Sequence, residues 1–141
     1  MATPMFQYWR ERSFHLGDIL SITTRRLLSP RHMDGVYDIL NYLTGDDLCT
    51  HQLPRAARQC TPLLLAQHPF LQTIAVPKHL SGTDAWYAWR DEQVERYGEQ
   101  HLLQPLPPAQ RCIRDPIEEL KELVTDQKIV VIETNRALWE L

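Results

Sequence analysis

Four side chains able to bind metal or act as nucleophiles, Cys49, His51, Cys60 and His68, lie in or just after the stretch DDLCTHQLPRAARQC at 46–60. A neutral imidazole within hydrogen-bond reach of a thiol can take its proton and make a nucleophile, which suits Cys49 and His51 to covalent chemistry. Such sites usually draw thiol and imidazole from separate segments and need a third group to orient the base, and adjacency in sequence supplies neither. All four residues together could close a tetrahedral zinc site. Their spacing, one residue between Cys49 and His51 and seven between Cys60 and His68, matches no common zinc module. A buried structural Cys60 and a helix-terminal His68 explain them without metal, so no cofactor is expected.

Asp34 and Asp38 stand one helical turn apart, with Asp46 and Asp47 a turn beyond. They lack the ordered alternation of a calcium loop, and a solvated acidic face is the usual meaning of the pattern. Like charges at this spacing cost roughly a few tenths of a kcal/mol, so the face could be kept for a basic partner. No P-loop, dinucleotide-binding, nucleophile-elbow or HExxH motif appears, and five glycines leave little room for a phosphate cradle. The chain leans away from enzymes. Within 83–98, Trp86, Tyr87, Trp89, Val94 and Tyr97 share one broad helical face, and Arg90 and Gln93 project from its middle. Trp, Tyr and Arg together are enriched at the energetic centres of protein interfaces. The competing reading packs the rings in the core and lets Arg90 snorkel outward or pair with an acid.

The elements that must carry these groups follow from period and capping. GDILSITTRRLLS at 17–29 reads as a short amphipathic helix. A second helix is expected over 30–44, with Ser29 as cap, Pro30 at the first position and Gly45 just past the end. Pro54 and Pro62 each suit a helix start, predicting two short helices or one kinked helix over 54–60 and 62–68, broken by Pro69. Leu53 would cap the first poorly, leaving Thr50, His51 or Gln52 to bend back, so that 46–60 reads best as a helix entrance with Arg55 and Arg58 on its first turns. LQTIAV at 71–76 reads as a strand, 83–98 as a helix capped by Thr83 and stopped by Gly98, and 101–106 as an edge strand. Asp115 and Pro116 begin a helix whose Ile117, Leu120, Leu123 and Val124 share a face, and 128–133 is a strand. The expected class is α+β: a helical N-terminal half, then strand, helix, strand, helix and strand forming a small sheet backed by helices.

A length of 141 residues suits a single domain over 1–141, with 1–14 as a loosely ordered arm. Hydrophobic residues at 43% and charged ones at 23% place the chain among folded globular proteins, alone or as a homodimer. Three cysteines make no disulfide framework, no signal segment opens the chain, and no apolar run approaches the roughly 20 residues of a membrane span. A cytoplasmic setting without membrane partners is expected. A net charge of −3 argues against a protein held to nucleic acid mainly by phosphate neutralisation. A regulator using Arg25, Arg26, Arg31, Arg55 and Arg58 would be the exception, and its binding would weaken steeply with salt.

HLGDILSITT (15–24), SPRHMDGVYDILNYLTGD (29–46), THQLPR (50–55), QHP (67–69), RYGE (96–99) and DPIEEL (115–120), in that order, resemble a family of small proteins of unknown function encoded by bacteriophages and prophages. The resemblance runs from about 15 to 133 and carries over no catalytic residue. Arg25 stands where that pattern has glycine, which puts a left-handed turn there in doubt. The resemblance implies a bacterial cytoplasm during infection or lysogeny and, by association, a protein that disables a host protein or nucleoprotein complex such as a defence system. The candidate partner-binding residues are Trp86, Trp89, Arg90, Gln93, Tyr97, Asp34, Asp38, Asp46, Asp47 and Arg55. A small metal protein or enzyme built on Cys49, His51, Cys60 and His68 is the main alternative.

Overall fold

His15 joins the first strand to the first helix: its Nδ1 accepts the Gly17 N–H at 2.8 Å, satisfying one of the amides that a helix start leaves open. The computed structural model describes residues 11–125. Strand β1, Arg12–His15, stands where the N-terminal arm was expected and runs directly into helix α1, Leu16–Thr24. Leu16 to Ile22 are all buried, so α1 is central rather than one-sided, and it packs against each of the three helices that follow. It ends at Arg25 with φ 62 and ψ 25, so the left-handed turn forms although no glycine is there.

Helix α2, Met33–Thr44, begins three residues later than expected. Ser29 is not its cap; its hydroxyl donates to Asp18 Oδ1 and accepts the Arg31 N–H at 3.1 Å, shaping a turn before the helix. Val36, Ile39, Leu40 and Leu43 form the buried stripe, as their spacing requires. Gly45, at φ 73, ends the helix as expected and donates its N–H to Asn41 O at 2.9 Å. At Gly35 a methyl group would come within 2.0 Å of Ser29 Oγ and 2.5 Å of Asp18 Oδ1, so only glycine permits this approach.

Helix α3 is continuous, Leu53–Gln67, and not two separate helices. Pro62 has no N–H for the carbonyl of Arg58, yet Leu53, Ala56, Ala57, Cys60 and Leu64 are buried on both sides of it. Burial of that one stripe outweighs the lost hydrogen bond. The strand expected at 71–76 is absent. Pro69–Thr73 forms a 3-10 turn, and Leu71 and Ile74, three residues apart, are buried in keeping with its period.

Helix α4, Thr83–Tyr97, lies between Gly82 at φ 92, which takes the cap position expected for Thr83, and Gly98 at φ 100. Strand β2, Gln100–Leu103, is shorter than the expected 101–106 and pairs antiparallel with β1, from Arg12 opposite Leu103 to His15 opposite Gln100. Pro105 cannot extend the ladder, and Leu106 N–H instead donates to Leu43 O at 2.8 Å. Helix α5, Pro116–Thr125, follows; the strand expected at 128–133 lies outside the described residues. The class is thus mixed helix and strand, but the order differs: strand first, then helices, with two strands in the sheet among the described residues. The core joins α1, α2 and α3 to Phe14, Trp89, Leu103 and Leu106.

Candidate interaction surface

The polar stretch at 46–60 is the socket into which the segment before and within α5 plugs. Gln52, fully buried, bends back as a helix entrance requires: its Oε1 accepts the Cys49 N–H at 2.9 Å. Its amide Nε2 donates to Arg114 O at 3.2 Å and to Glu119 Oε1 at 3.0 Å. One turn on, Arg55 forks onto the same carboxylate, Nε to Oε2 at 3.1 Å and Nη2 to Oε1 at 3.0 Å, and its Nη1 donates to Cys112 O at 3.0 Å. Gln59 Nε2 reaches Gln110 O at 3.1 Å. Burial pushes the Glu119 carboxyl up, but the hydrogen bonds from Arg55 and Gln52 outweigh it and hold it below the usual carboxylate value.

The proposed metal or nucleophile residues take separate places. His51 Nε2 lies 2.8 Å from Pro116 O and His68 Nε2 lies 2.7 Å from Leu102 O, so each ring engages a backbone carbonyl. Cys60 is buried, and desolvation pushes its thiol up to about 12, leaving it without thiolate character at neutral pH. Cys49 is exposed. Among the described residues no group of three or more His, Cys, Asp or Glu side chains is arranged to hold a metal ion.

The charged candidates divide in two. Asp38 takes a fork from Arg12, at 2.8 Å and 2.5 Å, and a third bond from Arg31 at 2.9 Å. Arg31 also reaches the buried Asp18 at 2.6 Å. Burial raises the Asp38 carboxyl, and the two guanidiniums overcome that and hold it low. Asp38 therefore ties β1 to α2. Asp34 and Asp47 stay exposed, and Asp46 is half-buried, with Oδ1 accepting the Asp47 N–H at 2.7 Å. Of the five arginines that a nucleic-acid reading would use, Arg31 and Arg55 are engaged by carboxylates and Arg26 lies 5.6 Å over the Trp86 ring. Arg25 and Arg58 line one cavity.

The aromatic face of α4 turns inward. Trp89 and Gln93 are each only 8% exposed, Trp86, Val94 and Tyr97 pack against the core, and Tyr97 stacks on Phe70 with centroids 4.7 Å apart. Arg90 explains its own place among the rings: Nη1 donates to Leu28 O at 3.1 Å, and the guanidinium lies 4.6 Å over Tyr87. On α5 the aliphatic face is only partly covered, with Leu120 and Leu123 half-buried. Ile117 is 58% exposed and Ile113, just before the helix, 61%, while Glu119 is buried. Sequence reading missed Glu119 and Ile113; the available signal was the polar row Gln52, Arg55 and Gln59, three and four residues apart, on a helix that is otherwise apolar inward.

These features define a mixed helix-and-strand protein whose C-terminal return is fastened to α3 by polar side chains. Residues 14–74 match the family model of a domain of unknown function, DUF7736. The matched span runs from Phe14 in β1 to Ile74 after the 3-10 turn, taking in α1, α2, α3 and the socket but not the segment that fills it. Comparisons with curated proteins and with solved structures give no match.

Proposed function

We propose that the protein is a non-enzymatic protein-binding module whose partner surface is the outer side of residues 112–120. One observation carries this reading: the segment buries its acid, Glu119, and exposes its isoleucines, Ile113 and Ile117. A segment docked only for stability would do the reverse. The clamp from Gln52 and Arg55 holds the backbone of this surface in place, which lowers the entropy cost of binding. Asp34 and Asp47 are the acidic candidates open to a basic rim on a partner. On the resemblance over 15–133, the partner is a host protein or nucleoprotein complex in a bacterial cytoplasm, and the protein is its phage-encoded inhibitor, as of a defence system.

The test compares the tagged wild type with an Ile113→Asp, Ile117→Asp double variant in affinity capture from bacterial lysate washed at high salt. The expected result is one stoichiometric protein complex with the wild type and none with the variant, whose circular dichroism is unchanged. Equal capture by both, or stoichiometric zinc in protein purified without a histidine tag, would overturn the reading.

A further inference from the structure

Leu106 is the last residue along the chain to join the apolar core; among the described residues nothing beyond it belongs to that cluster. Its N–H is tied to Leu43 O, but past it no backbone–backbone hydrogen bond among the described residues joins 107–125 to the rest of the fold. What holds the segment is a row of side chains on and just before α3. Gln59, Arg55 and Gln52 donate to the carbonyls of Gln110, Cys112 and Arg114, every second residue of a chain that is extended at Arg111, and His51 Nε2 lies against Pro116 O. Glu119 is the side chain of the segment that the row grips. Such a groove reads an extended backbone and a carboxylate at a fixed distance along it, and it reads them alike whichever chain supplies them. The family model spans 14–74, so it contains the groove without its filler. Two local bonds, Gln110 N–H to Pro107 O and Arg111 N–H to Pro108 O, close the 3-10 turn Pro108–Gln110 that links Leu106 to the groove. Opening that turn moves the segment without taking an apolar residue out of the core.

We propose that the groove of Gln52, Arg55 and Gln59 is an exchange site between two copies of this chain, each laying its 110–119 segment into the groove of the other, with 107–111 as the hinge. The exchanged pair keeps every contact between groove and segment, so the two forms differ in the hinge and in the entropy of association, and concentration decides between them. Below the roughly millimolar effective concentration of a short tether the segment closes on its own chain; above it, or on refolding from concentrated solution, pairs form. A two-fold pair fills both grooves and therefore does not grow into a filament. The exchange makes no use of the side chains of Ile113 and Ile117, and it stands or falls without the surface they form.

Two full-length variants test this in combination. Glu119→Ala keeps a sound groove with a faulty segment, and Arg55→Ala keeps a sound segment with a faulty groove, so an intact clasp exists only between the two chains. Mixed at about 1 mM each, they should form a one-to-one heterodimer in analytical ultracentrifugation, while each variant alone stays monomeric. Hydrogen exchange over 110–120 should slow by at least about tenfold on mixing in the Arg55→Ala chain and stay fast in the Glu119→Ala chain. A second faulty groove, Gln52→Ala with Gln59→Ala, should behave as Arg55→Ala does. No heterodimer in either mixture, a heterodimer without slower exchange over 110–120, or equal association of one variant with itself would each overturn the proposal. Loss of the heterodimer when Ile113→Asp and Ile117→Asp are added to both chains would overturn it too, assigning the contact to the isoleucine surface.

Discussion

Helices α1 to α3 pack mainly through side chains with no hydrogen-bonding group, Leu16, Ile19, Leu20, Leu40, Leu43 and Leu64 among them, whereas residues 110–119 are fastened to α3 through two amides, a guanidinium and a carboxylate. The first kind of contact is non-directional and scales with buried area. The second depends on geometry, and each of its members leaves a costly unpaired group if a partner is removed. The helical core should therefore respond to mutation as one unit, and the return as a latch that opens on its own.

The largest effect tests the core. Leu40→Ala, at a position with no exposure, should cost about 3 kcal/mol in denaturant unfolding. Loss of the whole structure in one transition supports the comparison, and a cost confined to α2 would break it. Next comes the latch: Glu119→Ala strands Arg55 and Gln52 and should cost about 2 kcal/mol locally. Hydrogen exchange should quicken over 110–120 while α1 to α3 keep their protection; equal quickening everywhere would show that the latch belongs to the core.

The same latch has a pH signature. The folded carboxyl of Glu119 lies below its unfolded value, so its contribution is complete above the unfolded value and is lost as pH falls through the folded one. After correction for intrinsic rates, wild-type exchange over 110–120 should rise in acid, and Glu119→Ala should be flat across that window. The smallest effect sharpens the contrast. Asp38→Asn weakens a network whose arginine side chains are nearly half exposed, 47% for Arg12 and 46% for Arg31, and should cost under about 1 kcal/mol, less still at high salt, by thermal unfolding.

The same division decides what the sequence could disclose. Helix α2 and helix α4 were legible because glycines 45 and 98 mark their ends and, in α2, apolar residues recur at the helical period. The single helix through Pro62 was legible only as one of two alternatives, because the burial on both sides of the proline that overrides its local preference is a tertiary effect. The run at 71–76 was misread as a strand because two apolar residues three apart suit a 3-10 turn equally well in so short a window. Of the candidate site, the polar density of 46–60 was visible and so was its part as a helix entrance. Its docking role was hidden, since Glu119 and the carbonyls of Gln110, Cys112 and Arg114 meet it only through tertiary contact. Arg90 shows the same limit: its place among the rings is visible in the sequence, but the Leu28 carbonyl that it satisfies lies 62 residues away.

The pairing of β1 with β2 also sets an order of events in folding. Ser13 and Gln100, diagonal neighbours across the ladder whose side chains share a hydrogen bond, are 87 residues apart in sequence. Closing so long a loop before the helices have collapsed carries an entropy cost that two short strands cannot offset. The ladder is expected to form late, after α1 to α3 have drawn the strands together.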